Sequence, residues 1–298
     1  MRIREAQPDD APGLVALRAI VYPYLVRGIE STRKMIAEPP PGEGWTAFVA
    51  EVDDRVVGWV SAERIGATST ANFGGVNLLH VHPEHRRRGI GSELLTAATD
   101  HLRTLGTRRL RAVAQEDSLP FARRHGYEPS RELRYSALDL NPAPALPEPP
   151  PGVRLRPIAD LDPQLLFAAD LASVVDEPSD VPLDTKSYES WQYDVWDNLG
   201  LDKTASTAAE IDGEVAAFSL VKRDGDRMWS DYTGTIPAYR GQGLARLAKT
   251  AALHRAAANG VRVAYTSNDE ANAPMLAINT RLGYRPVAAE WSCLADLT

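Results

Sequence analysis

Cysteine is nearly absent from this sequence, since Cys293 is the only one among 298 residues. A single cysteine excludes an intrachain disulfide and a cysteine-rich metal site. The six histidines are scattered without the spacing of metal ligands. No apolar run approaches the roughly 20 residues that cross a bilayer, and the segment that follows Met1 has no apolar core of a signal peptide. These absences predict a reduced, cytoplasmic protein with no metal and no membrane attachment.

Positive charge is also scarce. Lysine and arginine number 33 against 40 aspartates and glutamates, and the net charge is −7. Broad binding to nucleic acid requires a basic face, so no nucleic-acid partner is expected. The hydrophobic fraction of 44% and the charged fraction of 24% are ordinary for a globular protein. The length suits two domains better than one.

A proline-rich run at residues 141–152 is the clearest break in the chain. Prolines this dense cannot sustain a helix or a central strand, and they favour an extended linker. The run predicts a domain at residues 1–140, a linker at 141–152 and a second domain at 153–298.

The two flanking halves repeat one another. Four landmarks recur in the same order and at similar spacing: Arg2-Ile3-Arg4 and Arg154-Leu155-Arg156, the turns at Asp53-Asp54 and Asp212-Gly213, the Gly-rich segments 86–91 and 240–245, and Gly126-Tyr127 and Gly283-Tyr284. The alternative, two unrelated domains that share short motifs, requires four agreements by chance. The pattern predicts a duplication.

Each half has the residue pattern of an α/β domain. Residues 93–105 and 246–258 have the 3.6-residue periodicity of a long helix, and residues 109–113 and 261–265 alternate as strands. Two short turns join strands into antiparallel hairpins. The expected fold class is α/β: two tandem domains, each a mixed, mostly antiparallel sheet flanked by helices.

A strand, a Gly-rich turn and a helix start follow one another in both halves. The strands end just before Pro83 and Pro237, and the helices are expected to begin near Ser92 and Arg246. Unpaired N–H groups at a helix start, together with the helix dipole, favour an anion. Glycines allow a pyrophosphate to approach the backbone closely, and Arg86 and Arg240 add cationic donors. The segment is typical of a phosphate site.

Two other phosphate motifs do not fit. Neither copy ends in the Gly-Lys-Ser/Thr of a P-loop. A Rossmann fingerprint would lie after the first strand, whereas these turns lie in the middle of each half.

These residues resemble the GCN5-related N-acetyltransferase superfamily, whose cofactor motif is Arg/Gln-x-x-Gly-x-Gly/Ala after a strand. The resemblance covers both halves, and its two-domain architecture is similar to that of the mycothiol synthases. It implies acetyl-CoA as the donor and direct attack by an amine in a ternary complex, which needs no protein nucleophile. Backbone N–H groups near Val81 and Thr235 would bind the thioester carbonyl, which gains negative charge during attack. The implied cofactor-binding residues are Leu79, Val81, Arg86, Arg87, Arg88, Gly89, Ile90, Gly91, Ser92, Thr233, Thr235, Arg240, Gly241, Gln242, Gly243, Leu244, Ala245 and Asn272.

The resemblance also suggests where a general base would lie. Family members often place a carboxylate on the strand before the loop, where this sequence has Asp231 in the second half and Asn77 in the first. Asp231 is therefore the predicted catalytic base, although a structural hydrogen-bond acceptor is an alternative. The family's acid Tyr is replaced by Ala122 and Asn279. The leaving thiolate then takes its proton from water or another residue, or one copy is inactive.

Three further assignments stay open. Asn272 suits a contact with the pantetheine arm or a helix cap equally well. His80 and His82, next to a strand end, are expected to face solvent. The acidic and aromatic residues 176–196 suit a cationic acceptor, but a buried stripe of Tyr188, Trp191 and Val195 is favoured. The predicted function is acetylation of a primary amine of a small molecule. The alternative is a non-catalytic acyl-CoA-binding module, and the oligomeric state is left open.

Overall fold

The computed structural model describes residues 1–297. By its internal contacts the chain forms two compact units. The first comprises Met1–Leu133, Asp180–Thr185 and the stretch that begins at Ala289, and the second comprises Arg134–Ser179 and Lys186–Ala288. Each unit thus includes a segment from the other half of the sequence. The domain boundaries predicted above describe the halves of the duplication, and they stay a prediction.

The first half of the chain alternates strands and helices. Its elements are β1 (Arg2–Glu5), α1 (Ala11–Val21), α2 (Ile29–Ala37), β2 (Thr46–Val52), β3 (Arg55–Arg64), β4 (Phe73–Val81), α3 (Ile90–Thr104), β5 (Arg109–Gln115), α4 (Leu119–Arg124) and β6 (Glu128–Asp139). In the first unit the strand order is β1-β2-β3-β4-β5, followed by the end of the last strand of the chain.

The second half repeats this order. Its elements are β7 (Val153–Pro157), α5 (Pro163–Ser173), α6 (Tyr188–Trp191), β8 (Thr207–Ile211), β9 (Glu214–Asp224), β10 (Arg227–Thr235), α7 (Leu244–Ala258), β11 (Val263–Asp269), α8 (Ala273–Leu282) and β12 (Arg285–Asp296). In the second unit the strand order is β7-β8-β9-β10-β11, followed by β6. The linker at 141–152 contains neither a helix nor a strand.

The pairings among β1 to β5 and among β7 to β11 are antiparallel except for one parallel pair in each set, β4 with β5 and β10 with β11. The predicted fold class is therefore confirmed. The turn residues Asp53 and Asp54 both have a positive φ, as do Asp212 and Gly213, which is the backbone that a two-residue hairpin requires. The helices α3 and α7 begin two residues earlier than expected, because a left-handed glycine directly before each one starts the helix at once.

The core of the first unit has two parts, one between α3 and the sheet and the other on the α1 side of the sheet. Ile90, Leu94, Ala98 and Leu102 recur every four residues along one face of α3 and are almost fully buried. This spacing places the apolar side chains in one stripe against the strands. The stripe fixes the start of α3, and with it the Gly-rich loop, at the end of β4.

The parallel strands separate before they end. β4 pairs with β5 only from Phe73 to Val76 and then bulges, with Leu78 at a φ of 54°. β10 pairs with β11 only from Arg227 to Trp229, and it bulges between Ser230 and Thr233. An extra residue on one strand bends that strand. Each unit therefore has a wedge between its two parallel strands, beside the Gly-rich loop.

Candidate functional site

The two Gly-rich loops have the same backbone shape. Arg87 and Gly89 have φ values of 61° and 86°, and Gly241 and Gly243, at the matching positions, have 78° and 78°. Left-handed residues at alternating positions turn successive N–H groups toward one side, which forms a concave anion site. The second unit uses two glycines for this shape, whereas the first places an arginine in the less favourable conformation.

Space for a ligand lies directly in front of both loops. A Cβ atom added to Gly89, Gly241 or Gly243 would meet no atom within 4 Å. In α3 the first helical hydrogen bonds come from the N–H groups of Ser92 and Glu93 to the carbonyl of Gly89. The N–H groups before Ser92 therefore point out of the helix toward this space. The geometry fits a pyrophosphate group at each loop.

The two motif arginines are held by the protein rather than aimed at this space. Arg86 Nε donates to the carbonyl of Val81 at 3.2 Å, and Arg240 Nε donates to that of Thr235 at 3.3 Å. Arg240 also forms two bonds to the carboxylate of Asp176, at 2.5 and 2.8 Å. That guanidinium lowers the pKa of Asp176, chiefly through these hydrogen bonds. Arg240 thus ties the loop to the strand end, and Asp176 offsets its charge.

Backbone donors face each wedge. The N–H of His82 donates to the carbonyl of Val57 on β3, and the N–H of Ile236 donates to that of Ala216 on β9. Hydrogen-bonded and non-bonded pairs alternate along an antiparallel ladder. The N–H groups of Val81 and Thr235 therefore point away from β3 and β9, toward the side where the parallel neighbour has separated. This is the direction predicted for groups that bind a thioester carbonyl.

Asp231 lies at the bulge of β10, where the wedge begins. Its Oδ2 is 2.9 Å from Lys222 Nζ on β9, and both side chains are partly exposed. The first unit has Asn77 at this position, where Asn77 Nδ2 donates to Glu63 Oε1 at 3.0 Å. The structure thus places the predicted base beside the expected cleft. Its catalytic role stays a prediction.

At the positions where family members carry the acid Tyr, this chain has side chains without an acidic proton. Ala122 and Asn279 are both buried, and Asn279 Nδ2 donates to Asn268 Oδ1 at 2.6 Å. Asn272 caps α8, because its Oδ1 accepts from the N–H of Met275 at 3.2 Å. A coenzyme contact by Asn272 would have to use its amide NH₂ group, and it stays a prediction.

One expectation about the histidines is wrong. His80 is buried, and its Nδ1 is 3.3 Å from Trp59 Nε1. Burial, with smaller contributions from Arg18 and Arg86, lowers the pKa of His80 to about 3. Both faces of β4 are covered, by α3 on one side and by α1 on the other, and the bulge of β4 turns His80 to the α1 side. His82 is partly exposed, and its side chain accepts from the N–H of Glu84.

A polar network lies beside His80 in the first unit. Tyr22 donates to Glu290 Oε2 at 3.1 Å, and Gln115 Nε2 donates to Glu290 Oε1 at 3.3 Å. Glu290 belongs to β12, far from the others along the sequence, and pairs with Gln115 across the strands. No local pattern in the sequence identifies this contact. The network occupies the α1 side of the first unit's wedge.

A carboxylate of the second unit was also missed by the sequence analysis. Asp170 lies on α5, and its Oδ2 accepts from Trp191 Nε1 at 2.6 Å. Burial raises the pKa of Asp170, against the opposing effects of Lys186 and Trp191 and together with the charge of Asp231. Asp170 therefore lies in the electrostatic range of the predicted base.

The aromatic segment 188–196 is built mainly as core. Trp191 and Val195 are buried and Tyr188 packs against them, as the favoured alternative predicts. The helix α6 continues into a wider turn at Gln192–Trp196. Asp180, from the acidic stretch before it, belongs to the first unit and is held by Arg131 and Ser292.

Two features are absent from residues 1–297, the part of the chain that the structure describes. No helix in that range is long and apolar enough to cross a membrane. No group of three acidic, histidine or cysteine side chains is arranged there to hold a metal ion. The cytoplasmic location predicted above stays a prediction.

Comparison with known proteins gives consistent matches over both halves. A family model described as "Acetyltransferase (GNAT) family" matches residues 16–127 and 171–284, which confirms the tandem architecture. Mycothiol acetyltransferase of Amycolatopsis mediterranei is 31% identical over 261 residues, covering 82% of this chain and 83% of its own. The protein of the same name from a Nocardioides species is 30% identical over 250 residues, which cover 78% of this chain and 82% of that protein.

Solved structures share the fold over the full length. A tandem GNAT protein from the clavulanic acid biosynthesis pathway superposes with a TM-score of 0.77 at 21% identity, covering 100% of this chain and 98% of that one. A GCN5-related N-acetyltransferase from Sphaerobacter thermophilus superposes with a TM-score of 0.74 at 19% identity. The match covers 99% of this chain and 95% of that one.

Proposed function

Since the chain belongs to the GNAT acetyltransferase family, we propose that its second unit acetylates the primary amine of a small molecule, with Asp231 as the general base. The chain is an N-acetyltransferase that uses acetyl-CoA as its donor. The acceptor, the active unit and the catalytic residue are the proposed parts. The observation that carries them is the carboxylate of Asp231 at the bulge of β10, where the first unit has Asn77.

Both loops are proposed to bind coenzyme. The left-handed residues, the space in front of them and the outward N–H groups recur in the two units. In the second unit the residues would be the loop from Arg240 to Ala245, with the N–H groups of Thr233 and Thr235 toward the acyl carbonyl. Hydrogen bonds to that oxygen are worth most as it gains charge during attack.

Asp231 would remove a proton from the ammonium form of the acceptor, directly or through a water molecule. An amine attacks only when its lone pair is free, so a base next to the wedge promotes the reaction. Lys222 holds the carboxylate in place through the 2.9 Å ion pair. Because Ala122 and Asn279 carry no acidic proton, the leaving thiolate would take its proton from water.

A non-catalytic acyl-CoA-binding module is not favoured for the whole chain, because relatives at 31% and 30% identity are named as acetyltransferases. Their name makes a mycothiol-related amine the first acceptor to test. The first unit, with Asn77 and the network around Glu290, is proposed to bind coenzyme without turnover.

A panel of primary amines tests this function. The panel comprises a mycothiol-related amine, amino sugars, aminothiols, diamines and amino acid amides, and release of the coenzyme thiol from acetyl-CoA is followed for each. We expect saturable turnover with at least one class and none with the matching alcohols. Tight coenzyme binding without turnover on any amine would contradict the proposal.

A further inference from the structure

The further inference concerns Asp170 and rests on the function proposed above. We propose that the carboxylate of Asp170 binds the acceptor in its ammonium form and thereby restricts the second unit to cationic amines. Asp231 then takes the proton, so the two carboxylates have separate tasks.

Packing of α5 on β10 places Asp170 beside the wedge. Ser173, one helical turn after Asp170, lies 3.3 Å from the hydroxyl of Tyr232 at the bulge. A Cβ atom on Gly234 would collide with Ser173 Oγ and with the ring of Phe218. Only glycine allows the helix to approach the strand this closely. The contacts of Ser173 with Gly234 and Tyr232 therefore fix the position of Asp170, one turn earlier on the helix.

The carboxylate of Asp170 is oriented but not neutralised. The indole N–H of Trp191, a fully buried side chain, donates to its Oδ2 at 2.6 Å. Asp231 has an ion pair with Lys222, whereas Asp170 has none within the range that the structure describes. A half-buried carboxylate without a counter-ion is costly. A bound ammonium group would remove that cost.

The charged and titratable neighbours of Asp170 are few. Lys186 and Asp231 act on it electrostatically with opposite signs, and Tyr232 lies on the strand below. Lys186 does not reach ion-pair distance, and Lys222 is already paired with Asp231. Two carboxylates and two lysines therefore lie on this side of the wedge, but only Asp231 and Lys222 form an ion pair. Asp170 is thus left without a direct counter-ion, and a cationic ligand can take that place.

The first unit has the opposite charge at this position. The helices α1 and α5 both have 11 residues, and the fully buried Leu14 and Leu166 occupy the same place in each. Counting from these leucines, Asp170 corresponds to Arg18, a buried guanidinium that donates to the carbonyl of Arg27. A cationic amine would be repelled there. Only the second unit therefore combines a carboxylate on the helix with a carboxylate on the strand.

Glycinamide is a suitable probe, because an α-amino group titrates near pH 8 and can be studied in both forms. Its acetylation is compared in wild type and Asp170→Asn at about pH 6.5 and about pH 9. Asparagine keeps an oxygen that accepts from Trp191, so folding should be preserved. We expect the KM for glycinamide to rise about 10- to 100-fold at the lower pH, as for the loss of a charged hydrogen bond. The ratio of the KM for glycinamide in Asp170→Asn to that in wild type should be smaller at the higher pH. The KM for acetyl-CoA should not change.

Two controls separate charge from structure. Asp162→Asn removes a carboxylate from the N-cap of the same helix, away from the wedge, and should leave the KM for glycinamide unchanged. Trp191→Phe keeps the carboxylate of Asp170 but removes its orienting bond, so a smaller rise is expected. An unchanged KM in Asp170→Asn at the lower pH would overturn the inference, and so would an equal rise at both pH values.

A binding measurement separates this inference from the proposed function. Calorimetric titration of glycinamide into coenzyme-saturated protein at about pH 6.5 requires no turnover. Binding by wild type that is lost in Asp170→Asn, without acetylation by either, would leave the inference standing and refute the proposed acceptor. Acetylation with an equal KM for glycinamide in both proteins would support the proposed function and overturn the inference about Asp170. Absence of glycinamide binding to wild type would also overturn the inference.

Discussion

Lys222 Nζ lies 2.9 Å from Asp231 Oδ2, at the strand positions where the first unit pairs Glu63 with Asn77. The two pairs join adjacent strands in the same way, but only the second contains two opposite charges. The first pair is an amide bonded to a carboxylate, and Asn77 cannot accept a proton from an amine. The asymmetry between the units is therefore chemical, because the backbone is shared.

Replacement of this carboxylate should reduce turnover. Removing a general base typically costs about 10²- to 10⁴-fold in rate, so Asp231→Asn should lower kcat within that range near neutral pH. A higher pH should partly restore the rate, because more of the amine arrives already deprotonated. Initial rates of thiol release across pH provide the measurement.

Asn77→Ala is the matched change in the first unit and should have a much smaller effect. If Asp231→Asn turns over like wild type while Gly89→Trp abolishes activity, the first unit carries the chemistry instead.

Each Gly-rich loop should bind one coenzyme molecule. Gly89→Trp and Gly243→Trp place a large side chain in the space in front of the loop, so each should remove one of two calorimetric sites. Gly106→Trp and Gly260→Trp are matched controls, because these glycines also have positive φ and open space but lie at the far ends of α3 and α7. The controls should keep both sites. A wild-type stoichiometry of one site per chain, lost in either loop variant, would refute this arrangement.

Loss of a negative charge at Asp176 should strengthen coenzyme binding by the second unit. Asp176 is exposed and neutralises Arg240 beside the anion site. Asp176→Asn should raise the affinity for coenzyme A by up to about fivefold at low salt, which is the scale of an exposed ion pair. The gain should fade as ionic strength rises. Glu189→Gln, on α6, is a control for net charge. Weaker binding in Asp176→Asn would show that the ion pair is needed to shape the loop.

Lys249, which is buried in α7, should make a contribution to stability that rises with pH. Burial alone lowers the pKa of Lys249 to about 7 from its ordinary value of 10.5. Between these values the unfolded chain binds a proton that the folded protein lacks, so the contribution of Lys249 to the free energy of unfolding falls as pH decreases from about 10.5 toward about 7. Below about pH 7 the destabilisation caused by Lys249 has reached its full value and no longer changes with pH.

The first unit has Leu95 at the place of Lys249. Lys249→Leu should therefore flatten this pH dependence and raise Tm at pH 7 by about 2 °C or more. Thermal unfolding between pH 7 and 10 is the measurement, and Leu95→Lys should have the opposite effect. An unchanged pH dependence in Lys249→Leu would mean that Lys249 is charged in the folded protein.

Features set by local chemistry could be predicted from the sequence. The turns, the two long helices and the loop that begins each one depend on residues a few positions apart. His80 was placed wrongly because helices cover both faces of the strand up to its end, which a local sequence pattern does not show. Asp170 and Glu290 were missed because their partners, Trp191 and Tyr22, are brought close only by tertiary packing.

The last strand of the chain also constrains the order of folding during synthesis. Residues 290–296 of β12 pair with β5 in the first unit, and Glu290 completes the network around Tyr22. Roughly 160 residues must follow Leu133 before this strand exists, which takes on the order of 10 s on the ribosome. Until then β5 presents an unpaired edge, a feature that invites aggregation. The nascent first unit is therefore an expected client of ribosome-associated chaperones.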